Sequence, residues 1–203
     1  MHIRIMSIDP GGSTTGIAIT DLDMLTGKCY IVDSHTIHLD KLIKRKYVDN
    51  VIIYGEKFAR IIALKNAMTK LLEAWKPEYI VSEGPYLGSF VTTFASLTTC
   101  VMAIRLAIYE WEPYKDVTVL DPATVKKAVG VSGKSGDKNL MRVAVGRRGL
   151  IFTDVLLEKL DEHSVDAIAV GQAYIELFIR RQYEPTQSCL SDKGGTPLKY
   201  SIR

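Results

Sequence analysis

The chain has 203 residues, of which 47% are apolar and 24% are charged, so it is long and apolar enough to bury one sizeable core. This composition excludes collagen-like chains, disordered chains and small domains held together by disulfides. The length allows one domain or a tight pair of domains, and it excludes a large two-lobed enzyme. The formal net charge of +3 is too small to indicate a partner by itself.

The three cysteines predict a reducing, cytoplasmic setting. Cys29, Cys100 and Cys189 are odd in number, lie far apart, and form neither a CxxC pair nor a Cys/His zinc cluster. The N-terminal residues MHIRIMSID lack the apolar stretch and the small-residue cleavage site of a secretory signal. We therefore expect a protein that starts at this methionine and is not exported.

An uncharged stretch over residues 84–104 is long enough to cross a bilayer. It is rich in Ser and Thr, has Pro85 and Gly88 at its start, and is followed by Arg105. These features favour a helix buried in protein, and we expect no contact with a membrane.

The positive charge is concentrated in two clusters. Residues 126–148 carry seven basic side chains against the single acidic Asp137, a local charge of 7 minus 1, or +6. A shorter cluster precedes a predicted helix. Together the two clusters predict a polyanionic partner. Their members are Lys126, Lys127, Lys134, Lys138, Arg142, Arg147 and Arg148 in the first cluster, and Lys41, Lys44, Arg45 and Lys46 in the second.

The first half of the chain predicts an antiparallel meander followed by a helix and a fourth strand. Ile, Val, Thr and Tyr dominate three segments that are separated by the turn sequences Pro10-Gly11-Gly12 and Leu25-Thr26-Gly27. Apolar residues then recur at helical spacing until Pro77. The predicted strands cover residues 2–9, 14–21, 28–38 and 79–83, the helix covers residues 55–75, and residues 39–54 read as a charged insertion.

The second half predicts alternating helices and one more strand. Asp121-Pro122 has the pattern of an N-cap followed by proline in the first helical turn. The predicted elements are an uncharged helix over 87–110, a strand over 117–121, a helix through about 129, a glycine-rich loop over 130–136, a basic helix over 137–147 and a last helix over 163–182. We expect residues 1–182 to form one domain and residues 183–203 to form a mobile tail.

This element order predicts one mixed α/β sheet of five strands in the order 3-2-1-4-5, flanked by helices. Asp9 ends the first strand and Glu83 ends the fourth, so the two carboxylates are predicted to be neighbours where the winding of the sheet changes direction. His163 and Asp166, three residues apart, share one face at the start of the last helix. These four residues are the predicted catalytic site.

Three carboxylates at close range need a counter-charge, because like charges raise one another's pKa. Divalent cations supply it, and Mg²⁺ prefers carboxylate oxygens together with water and phosphate. Two such ions about 3.5 to 4 Å apart can hold both the attacking water and the leaving oxygen. The four residues therefore predict phosphodiester hydrolysis with Mg²⁺ or Mn²⁺, with two ions in each active site.

The sequence resembles the RuvC-like Holliday junction resolvases of the ribonuclease H superfamily. The resemblance covers about residues 1–180, and its motifs are specific in combination, although each alone is weak. They are SIDPGGSTTGIAI at 7–19, IVSEGPY at 80–86, DPATVKKAVGVSGKSGDKNLM at 121–141 and LDEHSVDAIAVGQAY at 160–174. The implied fold is ribonuclease H-like.

The resemblance implies a homodimeric, metal-dependent endonuclease that cuts four-way DNA junctions symmetrically. Asp9, Glu83 and Asp166 match the family's acidic residues, and His163 falls where members have Asp or His. Asp161 and Glu162 lie close by, so either residue is an alternative to His163 or an addition to it.

The resemblance also implies DNA contacts. Tyr86 matches an aromatic residue that stacks on a base near the crossover, with an ordinary core or interface aromatic as the alternative. Lys126 and Lys138 match phosphate-contacting lysines of the family. The basic window adds Lys127, Lys134 and Arg142 as candidate DNA contacts, and either Lys134 or Lys138 is expected to stabilise charge in the transition state. Unlike many members, this chain has Gly-Pro after Glu83.

Two motifs also match nucleotide-binding proteins, and the same fold allows other functions on branched DNA. Residues 128–135, AVGVSGKS, fit a loose Walker A pattern, but they follow a predicted helix where a P-loop follows a strand. The segment DPGGSTTG resembles the phosphate loop of actin-like kinases, which carry a second copy of the domain that this chain lacks. Within the same fold, the alternatives are a broader nuclease for branched DNA and a junction-binding protein with little catalysis.

Overall fold

A computed structural model describes residues 1–86, 91–131 and 139–181. The strands are β1 His2–Asp9, β2 Thr14–Asp23, β3 Cys29–His38, β4 Tyr79–Glu83, β5 Val117–Leu120 and β6 Ile151–Phe152. The helices are α1 Leu39–Lys46, α2 Val48–Trp75, α3 Val91–Trp111, α4 Pro122–Val129, α5 Asn139–Gly146 and α6 Glu162–Tyr174. A short 3₁₀ turn covers Leu157–Lys159, and a π-helical segment, Ile175–Arg180, continues α6.

The strands form one mixed sheet in the order β5-β4-β1-β2-β3-β6. Strands β1, β2 and β3 pair antiparallel, while β4 runs parallel to both β1 and β5. This arrangement confirms the predicted fold class and the order of its five main strands. The two-residue strand β6 extends the sheet beside β3. It is too short to show a period in the sequence, and the prediction lacked it.

Helices cover both faces of the sheet. Helices α1, α2 and α3 bury one set of apolar side chains against the face that includes Met6, Ile8 and Ile17. Helices α4, α5 and α6 bury a second set against the face that includes Ile5, Ala18 and Val81. The alternation of neighbouring strand residues between the two clusters follows from the two-residue period of a strand.

The predicted helices differ from the observed ones mainly at their ends. The charged segment 39–54 contains α1 and the first turns of α2, which runs as far as Trp75 through a break at Gly55, where φ is 79°. The prediction began this helix only at residue 55, because Gly55 interrupts the periodic pattern. The predicted tail, most of the glycine-rich loop and the start of the uncharged helix lie outside the described residues.

Helix α6 lies across β1 and β2 because glycine permits close contact on both sides. A Cβ atom at Gly16 of β2 would lie 2.0 Å from the carbonyl oxygen of His163, and one at Gly171 of α6 would lie 2.8 Å from the Ser7 hydroxyl. The Ser34 hydroxyl in β3 also donates to the Ser164 carbonyl at 3.1 Å. These contacts fix the start of α6 above the ends of the central strands.

Helix α3 is, among the described residues, the one helix whose length and composition would allow it to cross a membrane. A third of its most apolar window is buried inside the protein, where Cys100, Ile104 and Ile108 contact the core. Met102, Leu106 and Tyr109 are exposed on the same helix. A single helix of this kind is weak evidence for a membrane span.

Candidate active site

Two carboxylates come together at the ends of neighbouring parallel strands. Asp9 is the last residue of β1, and Glu83 is the last residue of β4. The register pairs Ile8 with Ser82, so the next residue along each strand is one of these two acids. Both side chains lie at the carboxyl ends of strands where the sheet changes winding direction, which is the usual site position in open α/β sheets.

Helix α6 adds a third carboxylate and an imidazole. Asp161 caps the helix by accepting a hydrogen bond from the Ser164 amide at 2.9 Å, and the Thr36 hydroxyl donates to the same oxygen at 2.5 Å. Because His163 and Asp166 are three residues apart, they lie on one face of the helix. Both are only partly exposed. The cap therefore sets the direction in which α6 begins and where both functional side chains lie.

His163 links Asp9 to the start of β2. Its Nδ1 atom lies 2.9 Å from Asp9 Oδ2, and its Nε2 atom lies 2.9 Å from the Thr14 hydroxyl. The hydrogen bond to Asp9 raises the pKa of His163, although burial acts in the opposite direction. Both ring nitrogens of His163 thus have protein partners in this arrangement.

The three carboxylates interact electrostatically. Burial, followed by the charges of Asp9 and Asp166, raises the pKa of Glu83 to about 7. Burial, followed by the charge of Asp9, raises the pKa of Asp166 to about 6. Near neutral pH the site therefore holds more negative charge than its surroundings stabilise, a property typical of functional carboxylate clusters.

Lys126 is the lysine whose charge reaches this cluster. It lies on α4 and lowers the pKa of both Glu83 and Asp166, in each case as a smaller effect than burial and the neighbouring carboxylates. Its ammonium group therefore offsets only part of the negative charge. The neighbouring Lys127 is also exposed, and it is not among the main causes of either shift.

The donor set suits a hard divalent cation. Carboxylate oxygens are the ligands that Mg²⁺ and Mn²⁺ prefer, and Mg²⁺ usually binds through one or two carboxylates together with water and substrate phosphate. In residues 1–86, 91–131 and 139–181, no group of three or more His, Cys, Asp or Glu side chains is arranged so that it could hold a metal ion by itself. An open site completed by water and phosphate fits both the residues present and this absence.

Comparisons with known proteins give a consistent result, although no family model matches the chain. The crossover junction endodeoxyribonuclease RuvC of Xanthomonas campestris pv. campestris (strain B100) is 26% identical over 193 residues, which is 94% of this chain and 98% of that protein. This similarity, which extends over nearly the full length of both proteins, supports a RuvC-like Holliday junction resolvase.

Solved structures of RuvC-like proteins share the fold. T. thermophilus RuvC in complex with Holliday junction substrate superposes with a TM-score of 0.60 at 13% identity, over 85% of this chain and 92% of that one. The yeast mitochondrial Holliday junction resolvase superposes with a TM-score of 0.62 at 16% identity, over 86% of this chain and 78% of that one. The similarity thus extends over almost the whole described structure.

Three of the residues predicted to contact DNA are exposed near the acid cluster. Tyr86 follows β4 three residues after Glu83, and two thirds of its surface is accessible. Lys126 and Lys127 are both exposed in the last turn of α4. Lys134 and Lys138, also predicted to contact DNA, lie outside the described residues.

Arg142 has structural contacts that the sequence did not indicate. Its guanidinium donates to the main-chain carbonyls of Leu157 and Leu160, the second at 2.6 Å. Arg142 also lines a depression of about 340 Å³ together with Asn139, Glu162 and Asp166. Arg142 therefore holds the loop that leads into α6, and its contact with DNA stays a prediction.

Sequence reasoning did not find Thr14 and Thr36. Thr14 holds the far side of the His163 ring, and Thr36 holds the capping carboxylate of Asp161. Both are ordinary strand residues in the sequence, since threonine is common in strands, and their contacts span more than a hundred positions. The one signal was their position in the predicted meander, since Thr14 begins β2 shortly after Asp9 and Thr36 lies near the end of β3.

Proposed function

We propose that this RuvC-like protein is an endodeoxyribonuclease that resolves four-way DNA junctions by paired, symmetric, metal-dependent nicks, acting on DNA in the cytoplasm. The observation that carries the proposal is the set of three carboxylates, Asp9, Glu83 and Asp166, at the switch point of the sheet. Burial, followed by the charges of neighbouring carboxylates, raises the pKa of two of them, Glu83 and Asp166. The family relatives carry the name of this activity.

Asp9, Glu83 and Asp166 would hold Mg²⁺ or Mn²⁺, in the two-ion arrangement that the sequence predicts. When bound, the metal supplies Lewis-acid stabilisation of the phosphodiester and a water of lowered pKa. The protein contributes the fixed positions of the three carboxylates. Glu83 and Asp166 must both be deprotonated to bind metal, so their raised pKa values make metal binding weaken as the pH falls below about 7.

His163 stays in the proposed site as a predicted catalytic residue and metal ligand. Its hydrogen bonds to Asp9 and Thr14 support a role in orienting the Asp9 carboxylate. Direct coordination of a metal by His163 requires that one of these two hydrogen bonds be exchanged. Asp161 is engaged as the helix cap, which favours His163 over Asp161 as the fourth functional group.

The proposed DNA contacts surround the carboxylates. Tyr86 would stack on a base at the crossover, and Lys126 and Lys127 would bind backbone phosphates. Lys134, Lys138 and Arg142 complete the predicted set, and either Lys134 or Lys138 would stabilise the transition state. Contacts of this kind position the DNA backbone and carry no base sequence information.

A homodimer would match the two-fold symmetry of a four-way junction and give paired nicks. The exposed side chains of Met102, Leu106 and Tyr109 recur at helical spacing on α3 and form an apolar stripe that a second copy of the chain would cover. Replacing Leu106 with Glu is expected to shift the sedimenting species from dimer to monomer. The matched change Glu110→Gln, at the end of the same helix, is expected to leave the dimer intact.

The test of the function is a substrate panel of an intact four-way junction, a three-way fork, a flap and a linear duplex, each with Mg²⁺. We expect symmetric nicks in the four-way junction and their loss in Asp9→Asn. Equal cutting of forks and flaps would assign a broader branched-DNA nuclease, and tight binding without cutting would assign a junction-binding protein. Full activity of Asp9→Asn would contradict the site assignment.

The nucleotide-binding alternatives lack support. The loose Walker A segment begins in the last turn of α4, which Gly130 caps in the left-handed conformation, whereas a P-loop follows a strand directly. No described element repeats the DPGGSTTG loop in a second domain of the actin-like type. The relatives favour junction resolution over both alternatives.

A further inference from the structure

Residues 39–58 leave the sheet at the active-site end. The Leu39 amide, at the start of α1, donates to the Ser13 carbonyl at 2.9 Å. The next residue, Thr14, is the one that holds His163. Helix α1 therefore begins within a few residues of the acid cluster, although the functions proposed so far do not use it.

Helix α1 presents a positively charged surface at this place. Its apolar side chains Leu39 and Ile43 are buried, while its basic side chains are exposed. Asp40, the acidic residue of the helix, is paired with Arg60 of α2 at 2.6 Å. Among the described residues, none of the basic side chains of α1 takes part in an ion pair. These α1 cations are Lys41, Lys44, Arg45 and Lys46.

The start of α2 adds an exposed apolar surface beside these cations. Ile52 is 77% exposed, Ile53 is 67% exposed, and the rings of Tyr54 and Phe58 are also more than half exposed. Tyr54 and Phe58, the aromatic pair, contact each other edge to face, with ring centroids 5.4 Å apart. Adjacent exposed side chains of this size are unusual on a soluble surface unless something binds them.

A groove connects the aromatic pair with the active-site loop. It has a volume of about 500 Å³. Gly12 and Ser13, in the loop after Asp9, line one part of it, and Lys57 and Phe58 line another. The remaining wall is the uncharged start of α3, including Thr92 and Ser96. A DNA strand leaving the acid cluster would therefore meet hydroxyl groups, a cation and an aromatic ring.

We propose that residues 39–58 form a second contact surface for branched DNA, an inference that rests on the proposed junction activity. The α1 cations bind phosphates of an arm next to the cleaved strand, and the aromatic pair stacks on a base exposed at the branch point. Charge complementarity favours DNA, since a neutral protein partner would leave the α1 cations without counter-charges. Exposed aromatic rings beside cations are the combination that binds unpaired bases.

The test uses two variants of the full chain, with affinities measured without metal so that no cleavage occurs. The basic variant replaces all four α1 cations with Ala. For the four-way junction, we expect the slope of log K against log salt concentration to fall by about 0.9 for each lost phosphate contact. The control replaces Lys28 and Lys70, two exposed lysines away from the active-site end, and is expected to keep the wild-type slope.

The aromatic variant replaces Tyr54 and Phe58 with Ala. We expect its affinity for the four-way junction to fall by about 5-fold to 150-fold, the loss of one stacked base, with no change for a linear duplex of the same sequence. Exchanging the two rings, as Tyr54→Phe with Phe58→Tyr, is expected to restore the affinity. Tyr114→Ala, which removes an almost fully exposed ring at the opposite end of the sheet, is the control.

The outcomes separate this inference from the proposed function. If both variants keep the wild-type junction affinity and salt slope, while the wild-type protein cuts junctions, the proposal of a second contact surface is wrong and the proposed function stands. If the aromatic variant is a monomer and its junction affinity per chain is unchanged, residues 39–58 contact a second copy of the chain and not DNA. A wild-type chain that neither binds nor cuts junctions would overturn both proposals. Circular dichroism of each variant checks that it is folded.

Discussion

The charged side chains at the two ends of β1 differ in whether they have partners of opposite charge. At one end, Arg4 forms a two-point ion pair with Asp21, with Nε to Oδ1 at 2.7 Å and Nη2 to Oδ2 at 2.6 Å, and its guanidinium lies over the Trp75 ring. This pairing raises the pKa of Arg4. At the other end, Asp9 lies among further carboxylates, and the pKa values of Glu83 and Asp166 are raised.

The difference shows which charges the fold stabilises by itself. The Arg4 end neutralises its charges within the chain, so it holds the sheet together and has no need of a ligand. Among the described residues, Lys126 and His163 offset part of the charge of the acid cluster, and folding brings its carboxylates together at a cost in stability. A bound cation would supply the counter-charge that the acid cluster lacks and would stabilise the folded protein.

The largest effect is expected at the acid cluster. Asp166→Asn should lower the rate of junction cleavage by about 10³-fold, since a metal contributes several kcal/mol of charge stabilisation and each 1.36 kcal/mol is tenfold in rate. Junction affinity without metal should be unchanged or higher, because one negative charge near the phosphates is removed. Single-turnover cleavage and metal-free binding measure the two quantities. A parallel loss of both would indicate misfolding instead.

The next effect is on stability. Without metal, Glu83→Gln should raise the free energy of unfolding at pH 8 by about 1 to 3 kcal/mol, because a buried glutamate with a raised pKa is destabilising when ionised. The folded-state pKa lies above the unfolded value of 4.5. The wild type therefore loses stability as the pH rises from 4.5 to about 7, and the difference between the two proteins should vanish below pH 4.5. Urea unfolding at pH 4 and pH 8 measures it; equal stabilities at pH 8 would contradict the account.

The opposite end of β1 should respond in the opposite direction. Asp21→Asn is expected to destabilise the protein by about 1 kcal/mol at pH 7, since the Arg4 pair is partly exposed. Junction cleavage should remain at the wild-type rate because this end lies across the sheet from the acid cluster. Urea unfolding measures the stability of this variant, and a cleavage assay on the same preparation measures its rate. A loss of cleavage in this variant would remove the distinction between the two ends.

The smallest effect concerns Lys126. Its removal in Lys126→Ala should raise the pKa of Glu83 and of Asp166, since its charge lowers both. The acidic side of the profile of cleavage rate against pH should therefore move to higher pH. Lys127→Ala, one residue away, removes an equal charge that does not affect these two groups and should leave the profile in place. Identical profiles for all three proteins would contradict the electrostatic account.

Much of this architecture could be predicted from the sequence, because it depends on local patterns. The five main strands begin and end close to the predicted positions, since runs of Ile, Val, Thr and Tyr separated by turn sequences mark their ends. Asp121 was predicted as an N-cap, and its carboxylate accepts from the Thr124 amide at 2.9 Å. Asp9 and Glu83 were predicted as neighbours because strand order alone determines which strand ends meet.

Features that depend on contacts between distant segments could not be predicted. The engagement of both His163 nitrogens, the capping role of Asp161 and the use of Arg142 on main-chain carbonyls all join segments far apart in the chain. Exposure was also inaccessible to sequence reasoning. Phe178, in the π-helical segment after Tyr174, is an apolar residue of the last helix that is nevertheless 41% exposed and stacks on Tyr174.

The measurement that tests the central claim most directly is a calorimetric titration with Mn²⁺ in buffers of different ionisation enthalpy. If the acid cluster binds the cation, binding at pH 6 must displace protons from Glu83 and Asp166, whose pKa values are about 7 and about 6. The account predicts proton release at pH 6, much less release at pH 8, and a smaller difference in Glu83→Gln, where only Asp166 of these two groups still titrates. Binding without pH-dependent proton release, or no binding by the wild type, would contradict it.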